Sequence, residues 1–185
     1  MRIALLGTRG IPASYGGFET FAEEISTRLA ARGHKVTVYC REPHPQLEFR
    51  GVRLRYLPTI RHKYFDTVAH TGLSTLDLLL RRFDVVLYCN AANAIFTLWP
   101  RLLGMPTVLN VDGLERYRKK WNRLAKTWYL VSEWLATWCC SSVVTDAATI
   151  RDYYRSRYRK ESHFIPYGAE TGKLRNAEAV RALGL

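Results

Sequence analysis

An apolar run, Ile3-Ala4-Leu5-Leu6, then a glycine-rich turn from Gly7 to Gly17, then a long amphipathic segment ending at Gly33, constrains this chain more than any other stretch. The run has the length of a buried parallel strand. In residues 18–32, Phe18, Phe21, Ala22, Ile25 and Leu29 recur at three- and four-residue steps, which predicts a helix. Strand, glycine turn and helix in that order put free backbone N–H groups at the helix start, where an anion or a sugar hydroxyl can dock. Gly16-Gly17 lets a ligand approach the main chain without meeting a Cβ. A tight connection without a ligand accounts for glycines equally well, but this turn is longer than such connections need.

The pattern repeats downstream. Lys35–Cys40 reads as a second strand, and Gly51–Leu57 as an edge or near-edge strand whose basic residues alternate with apolar ones. Residues 66–82 read as a helix with Val68, Leu73, Leu76, Leu79 and Leu80 inward, and Asp84–Cys89 as a central strand. A short helix over 94–103, a buried strand at 106–111, a long helix over 121–140, a strand at 142–145, a helix over 147–157 and a last strand at 163–165 complete the series. Alternation of this kind predicts an α/β, doubly wound, mainly parallel Rossmann-like sheet with helices on both faces. Right-handed crossovers give the order 3-2-1-4-5-6 and a crevice where the winding reverses. The segment after Ile165 leaves the sheet as a linker or the start of something larger.

At 185 residues the chain suffices for one domain with a sizeable core. The 28 Lys and Arg against 16 Asp and Glu, a formal net charge of +12, point to an anionic partner. Cys40, Cys89, Cys139 and Cys140 have no metal-like spacing, and together they suit a reduced, cytoplasmic protein. No segment is apolar for long enough to span a bilayer, so the expectation is a soluble or peripheral protein.

Three constellations fall at strand ends that such a fold brings together. The first is Gly16, Gly17 and Glu19 with Arg9 and Tyr15 nearby, where Glu19 either binds hydroxyls or complements the helix dipole. In the second, Asn90 and Asn93 are hydroxyl ligands, or Asn93 is a helix N-cap. The third is Asp112 with Glu115, after a buried strand. Asp112 is the candidate catalytic residue, able to orient or deprotonate an acceptor hydroxyl, or else a loop-capping carboxylate.

From Arg116 to Lys126 the chain has basic residues (among them Arg116, Arg118, Lys119 and Lys120) and no acid. An apolar stripe overlaps them: Tyr117, Trp121, Leu124, Trp128, Val131, Leu135 and Trp138. Together they suit either an interfacial helix lying on anionic lipid or a crossover helix packed on the sheet. Nucleic-acid binding lacks any signature motif. An NADP enzyme lacks G-x-G-x-x-G in the first turn, although Arg41 is placed to meet a phosphate.

Met1–Pro12 together with Tyr15-Gly16-Gly17-Phe18-Glu19-Thr20 resembles the amino-terminal domain of glycosyltransferase family 4, in the branch of rhamnosyltransferases of bacterial surface polysaccharides. Tyr88–Ala94, Asn110–Glu115 with Lys120-Trp121, and Ile165–Ala169 are similar to further blocks of that branch. The resemblance implies the amino-terminal half of a GT-B fold over 1–168, with 169–185 as linker and start of a donor-binding domain. It implies a retaining transfer from a nucleotide-sugar to a saccharide or lipid-linked acceptor, with no cofactor, no metal and no nucleic acid, peripheral to the inner face of the membrane. Gly16 and Gly17 would lie near the donor diphosphate. Asp112 stands where many members have a histidine. The second domain, with its donor-gripping glutamates, would be missing, so the 185 residues are expected to be inactive alone.

Overall fold

The computed structural model describes residues 1–14, 16–60, 62, 65–119 and 121–168. In chain order the elements are β1 (Arg2–Leu6), α1 (Gly17–Ala31), β2 (Lys35–Cys40), β3 (Glu48–Phe49), β4 (Val52–Tyr56), α2 (Asp66–Leu79) and β5 (Val85–Cys89). A 3-10 turn (Ala91–Thr97) leads into α3 (Leu98–Leu102). Then come β6 (Thr107–Val111), a second 3-10 turn (Glu115–Tyr117), α4 (Arg123–Ala136), β7 (Ser142–Thr145), α5 (Ala148–Tyr158) and β8 (His163–Phe164). They form one 8-stranded sheet in the order β3-β4-β2-β1-β5-β6-β7-β8. Every pairing is parallel except β3 with β4. The expected order is therefore present, with the two-residue β3 beyond the near-edge strand β4.

The winding reverses at β1, between β2 and β5. One face of the sheet buries Ile3, Leu5, Val36, Val38 and Leu54 under the Phe18, Phe21, Ile25 and Leu29 face of α1. The other buries Leu6, Tyr88, Leu109 and Val143 with Leu78 of α2, Ala136 of α4 and Tyr154 of α5. At the top of β1 the chain turns through Gly7 at φ +91, in the left-handed region that side chains avoid. A Cβ here would overlap the Cys89 carbonyl oxygen and lie 2.8 Å from the Asn93 amide nitrogen. The first turn is thus pressed onto the end of β5. All four cysteines are free and buried.

Two helices pack with the face opposite to the one their apolar periodicity suggests. α2 buries His70, Thr71, Ser74, Thr75 and Leu78. Leu73, Leu76 and Leu80, expected inward, are exposed. α4 buries Tyr129, Ser132, Glu133 and Ala136, while Leu124, Trp128 and Val131 of the predicted stripe face solvent. Part of the buried polar set finds partners, whereas the Thr71, Ser74 and Ser132 hydroxyls have none among the described residues. Thr75 meets the Tyr88 hydroxyl at 3.0 Å, and α2 is held at its end by Asp77, which pairs with Arg55 and Arg81 and accepts from the Tyr39 hydroxyl. Glu133 is 2% exposed and accepts from the Tyr153 and Tyr158 hydroxyls at 2.8 and 2.9 Å. Its other oxygen faces Arg116 Nε at 3.2 Å, an ion pair too bent for a hydrogen bond. Burying a carboxylate is tolerable only with such partners.

Gly7→Ala adds both a strained φ and a clash with strand backbone, and is expected to cost about 3 kcal/mol or more in urea unfolding. Glu133→Ala strands the Arg116 guanidinium and is expected to cost about 3 kcal/mol. Glu24→Ala, which breaks an exposed pair with Arg28, is the comparison and should change the unfolding midpoint little.

Candidate functional site

The carboxyl ends of β1, β2, β4, β5 and β6 surround a cavity of about 830 Å³. Gly16, Gly17, Glu19 and Arg9 line it from the first turn, Asn90 from the end of β5, and Asp112, Glu115 and Arg118 from the loop after β6. The three constellations expected from sequence therefore meet in one crevice.

Local chemistry holds each loop. Glu19 is 9% exposed, and its carboxylate accepts from the Arg9 backbone N–H at 3.2 Å, so it ties the turn to α1 as well as lining the cavity. Gly16 precedes α1 at φ +98. Gly17 is the first residue of α1, and a Cβ there would meet no atom within 4 Å, so this stretch of main chain is open to an incoming group. Asn90 adopts φ +74 and caps the 3-10 turn by accepting from Ala92 N–H at 2.9 Å. Glu115, 9% exposed, accepts from the Trp121 indole N–H at 3.0 Å and pairs with Arg118 at 3.0 Å.

Burial, reinforced by the negative charges of Asp146 and Glu115, raises the Asp112 carboxyl to about 6. A carboxyl poised there holds or releases a proton near neutral pH, which suits a group that must meet a hydroxyl. Arg9, Arg41 and Arg118 supply positive charge to the same walls that carry Glu19, Asp66, Asp112 and Glu115. Such a lining fits a ligand with many hydroxyls and an anionic group.

Several expected residues lie elsewhere. Asn93 is fully buried; its amide donates to the Cys89 carbonyl at 2.7 Å, and it does not line the cavity. The N-cap is Asn90, one turn earlier. Arg116, expected as a phosphate or membrane contact, is turned inward to pair with Glu133, and its Nη2 donates to the Tyr153 hydroxyl at 2.6 Å. Lys119 is exposed and outside the cavity wall. Tyr15 and Lys120 fall outside the described residues.

Sequence reasoning named Arg41 but missed the wall it makes with Thr59, Asp66 and Thr67, and Tyr129 opposite. Arg41 and Thr59 follow the ends of β2 and β4, so the strand-end rule alone would have included them. The Arg41 side chain is 8% exposed, pairs with Asp66 at 2.8 Å and donates to Thr67 at 3.1 Å, so it is held in the cavity wall. Tyr129 sits on the polar face of α4, and the apolar stripe points away from it. The segment after β8 packs back against β6 and α1: the Asn110 amide donates to the Tyr167 hydroxyl at 2.9 Å, and the Tyr167 ring lies 5.0 Å from that of Phe21.

The profile of Glycosyltransferase Family 4 matches residues 15–173. The chain belongs to that family. No curated protein sequence matches this family member significantly. Sucrose-phosphate synthase from Thermosynechococcus elongatus is similar in fold, with TM-score 0.73 at 18% identity over 100% of this chain and 52% of that one. WaaG, a glycosyltransferase involved in lipopolysaccharide biosynthesis, gives 0.65 at 16% identity over 100% and 51%. Anabaena HepE, solved in complex with UDP, gives 0.65 at 14% identity over 100% and 50%. This Glycosyltransferase Family 4 chain spans about half the length of each, and its fold matches the amino-terminal half of GT-B glycosyltransferases.

The raised Asp112 carboxyl makes a stability prediction. Between about pH 4 and pH 6 the folded chain keeps a proton that the unfolded chain has lost, so folding is relatively favoured at the low end of that window. From about pH 6 upward the ionised carboxylate costs on the order of 2 kcal/mol. Asp112→Asn should therefore be the more stable protein at pH 7.5 and lose that advantage at pH 4, as read by chemical denaturation at both values.

Proposed function

We propose that this chain is the acceptor-side lobe of a retaining glycosyltransferase that moves a sugar from a nucleotide-sugar to a saccharide acceptor in surface polysaccharide synthesis. The observation that carries the reading is the meeting of Gly17, Asn90, Asp112 and Glu115 around one cavity at the switch point of a family 4 domain. A donor diphosphate approaches Gly16-Gly17, where the main chain at Gly17 is open. Asp112 accepts the hydrogen bond of the acceptor hydroxyl and takes its proton as the new bond to the anomeric carbon forms. The electrons of the broken bond leave with the diphosphate. Glu115 and Asn90 present further acceptors and donors to saccharide hydroxyls.

The nucleotide-sugar is a substrate, and the reaction as proposed uses no cofactor or metal. Support for a nucleotide donor comes from HepE, which was solved with UDP and with UDP and glucose. WaaG, involved in lipopolysaccharide biosynthesis, supports the polysaccharide context. Rhamnose as the sugar rests on the sequence blocks around Gly16-Gly17 and Asp112 alone. A lipid-linked acceptor and a cytoplasmic, membrane-peripheral location belong to the same reading. The donor is held mainly by a second lobe that closes over the cavity, so the 185 residues alone are expected to give no turnover.

The test is transfer by the full-length gene product with a panel of nucleotide-sugars and lipid-linked acceptors. Asp112→Asn is expected to lower kcat at least about tenfold. Gly17→Ala should keep or slightly raise stability, as alanine does in a helix, yet lose transfer by a similar factor because its methyl occupies the approach to the main chain. Transfer from no nucleotide-sugar, or full activity in both variants, overturns the proposal.

A further inference from the structure

A second cavity, of about 320 Å³, lies at the amino-terminal ends of β1 and β2, away from the crevice. Arg2 of β1, Lys35 of β2, Arg53 and Arg55 of β4 and Arg81 after α2 line it, against a single lining acid among the described residues, Glu48 of β3. Strand register brings these cations together. Arg2 lies beside Lys35, Thr37 beside Arg53, and Tyr39 beside Arg55. Because side chains alternate along a strand, Arg2, Lys35, Thr37, Arg53 and Arg55 fall on the face that buries Ala4, Leu6 and Tyr39. Asp77, in the last turn of α2, accepts from the Tyr39 hydroxyl and pairs with Arg55 and Arg81, which fixes one wall. Beyond it, Arg2, Lys35 and Arg53 are exposed.

The acids nearby do not balance this charge. Asp77 is shared between two arginines. Glu48 stands across from Arg53 in the β3–β4 pairing without reaching ion-pair distance, and Lys35 has no ion pair among the described residues. Asp84 is occupied by the Arg2 backbone N–H at 2.7 Å and does not line the cavity, while the Arg2 guanidinium lies 5.6 Å from the centre of the Phe83 ring. Like charges on neighbouring strands, about 4.8 Å apart, repel one another. An anion seated among them removes that cost.

We propose that this second cavity binds a soluble compound carrying two or more linked phosphates. Guanidinium and ammonium groups are the donors best suited to phosphate oxygens, and Thr37 adds a hydroxyl. Their spread selects the length of the anion. From β1 across β2 to β4 is two strand spacings, about 10 Å, so linked phosphates engage cations on all three strands better than a lone phosphate does. The volume is at the small end of ligand cavities, which run from about 300 to 1,000 Å³. Convergence of the cations on one concavity favours a compact polyanion over a long acidic polymer. The inference stands apart from the transferase reading, because the crevice at the other strand ends is not used and binding is measured without turnover.

Inorganic pyrophosphate and inorganic phosphate are titrated into the full chain by calorimetry, with backbone amide NMR spectra recorded alongside. Pyrophosphate is expected to bind at least about tenfold more tightly than phosphate and to weaken as salt is raised. In the unmutated protein it should shift the amides of Val36, Thr37 and Arg53, which makes the result independent of any variant's folding. The crevice also carries arginines, so variants identify the site. Lys35→Gln with Arg53→Gln, both at exposed positions, should lower the affinity about tenfold. Arg123→Gln with Lys126→Gln removes the same charge from exposed positions on α4 and should change it by less than about twofold. Uridine diphosphate and inorganic tripolyphosphate distinguish the sources: whichever binds more tightly, with the same dependence on Lys35 and Arg53, assigns the cavity to a nucleotide or to an inorganic chain. Absence of pyrophosphate binding, or binding that leaves those amides unshifted, overturns the proposal. So does an equal loss in the two double variants, which would make net charge the cause. Binding of polyglutamate where pyrophosphate does not bind also overturns it, and assigns the cations to an acidic polymer.

Discussion

The architecture depends on how closely the backbone at Gly7 approaches the last carbonyl of β5. Only a residue without a Cβ fits between the Cys89 oxygen and the Asn93 amide, and only glycine adopts that φ without strain. With the turn pressed there, the chain from Thr8 to Ser14 is directed across the strand ends. The same contact fixes Asn93, whose amide is bonded back to Cys89, and with it the 3-10 turn begun by Asn90. Two of the three walls of the cavity are therefore set by one steric constraint at the winding reversal.

The third wall is set by charge. The loop after β6 carries Asp112, Glu115 and Arg116 within five residues, and the last two are fastened in different directions. Glu115 is held by Trp121 and Arg118 at the cavity, and Arg116 is drawn inward to Glu133 and Tyr153. Pinned on both sides, the loop holds Asp112 among like charges at a depth where ionisation is resisted. This local electrostatic cost is of the kind tolerated at functional sites, and the paired network behind it offsets the strain elsewhere.

The same network bears on the outer layer. Because α4 turns its Tyr129, Ser132, Glu133 and Ala136 face to the protein, its apolar stripe is left outward. Fully burying one leucine or valine contributes about 1.5–3 kcal/mol, so a chain that leaves this many apolar side chains in water forgoes considerable stabilisation. Contiguous apolar surface of that kind marks a place where something else docks. Site and surface meet at Tyr129, which lines the crevice from the inward face of α4.

The succession of strands and helices, their parallel order and the meeting of three loops were legible in the residues themselves, because alternation and right-handed crossover leave few topologies open and strand ends in such sheets converge. Gly16-Gly17, Asn90, Asp112 and Glu115 could be placed from that rule alone. What it could not supply was the side on which a periodic helix packs. Periodicity groups Leu124, Trp128 and Val131 on one face whichever way that face is turned. Only the long-range pairing of Glu133 with Arg116 and two tyrosines, and of Asp77 with Arg55 and Arg81, turned those faces outward. Asn93 and Arg116 were misplaced for the same reason: their partners, a backbone carbonyl at a close strand end and a carboxylate on α4, exist as neighbours only after the chain has folded.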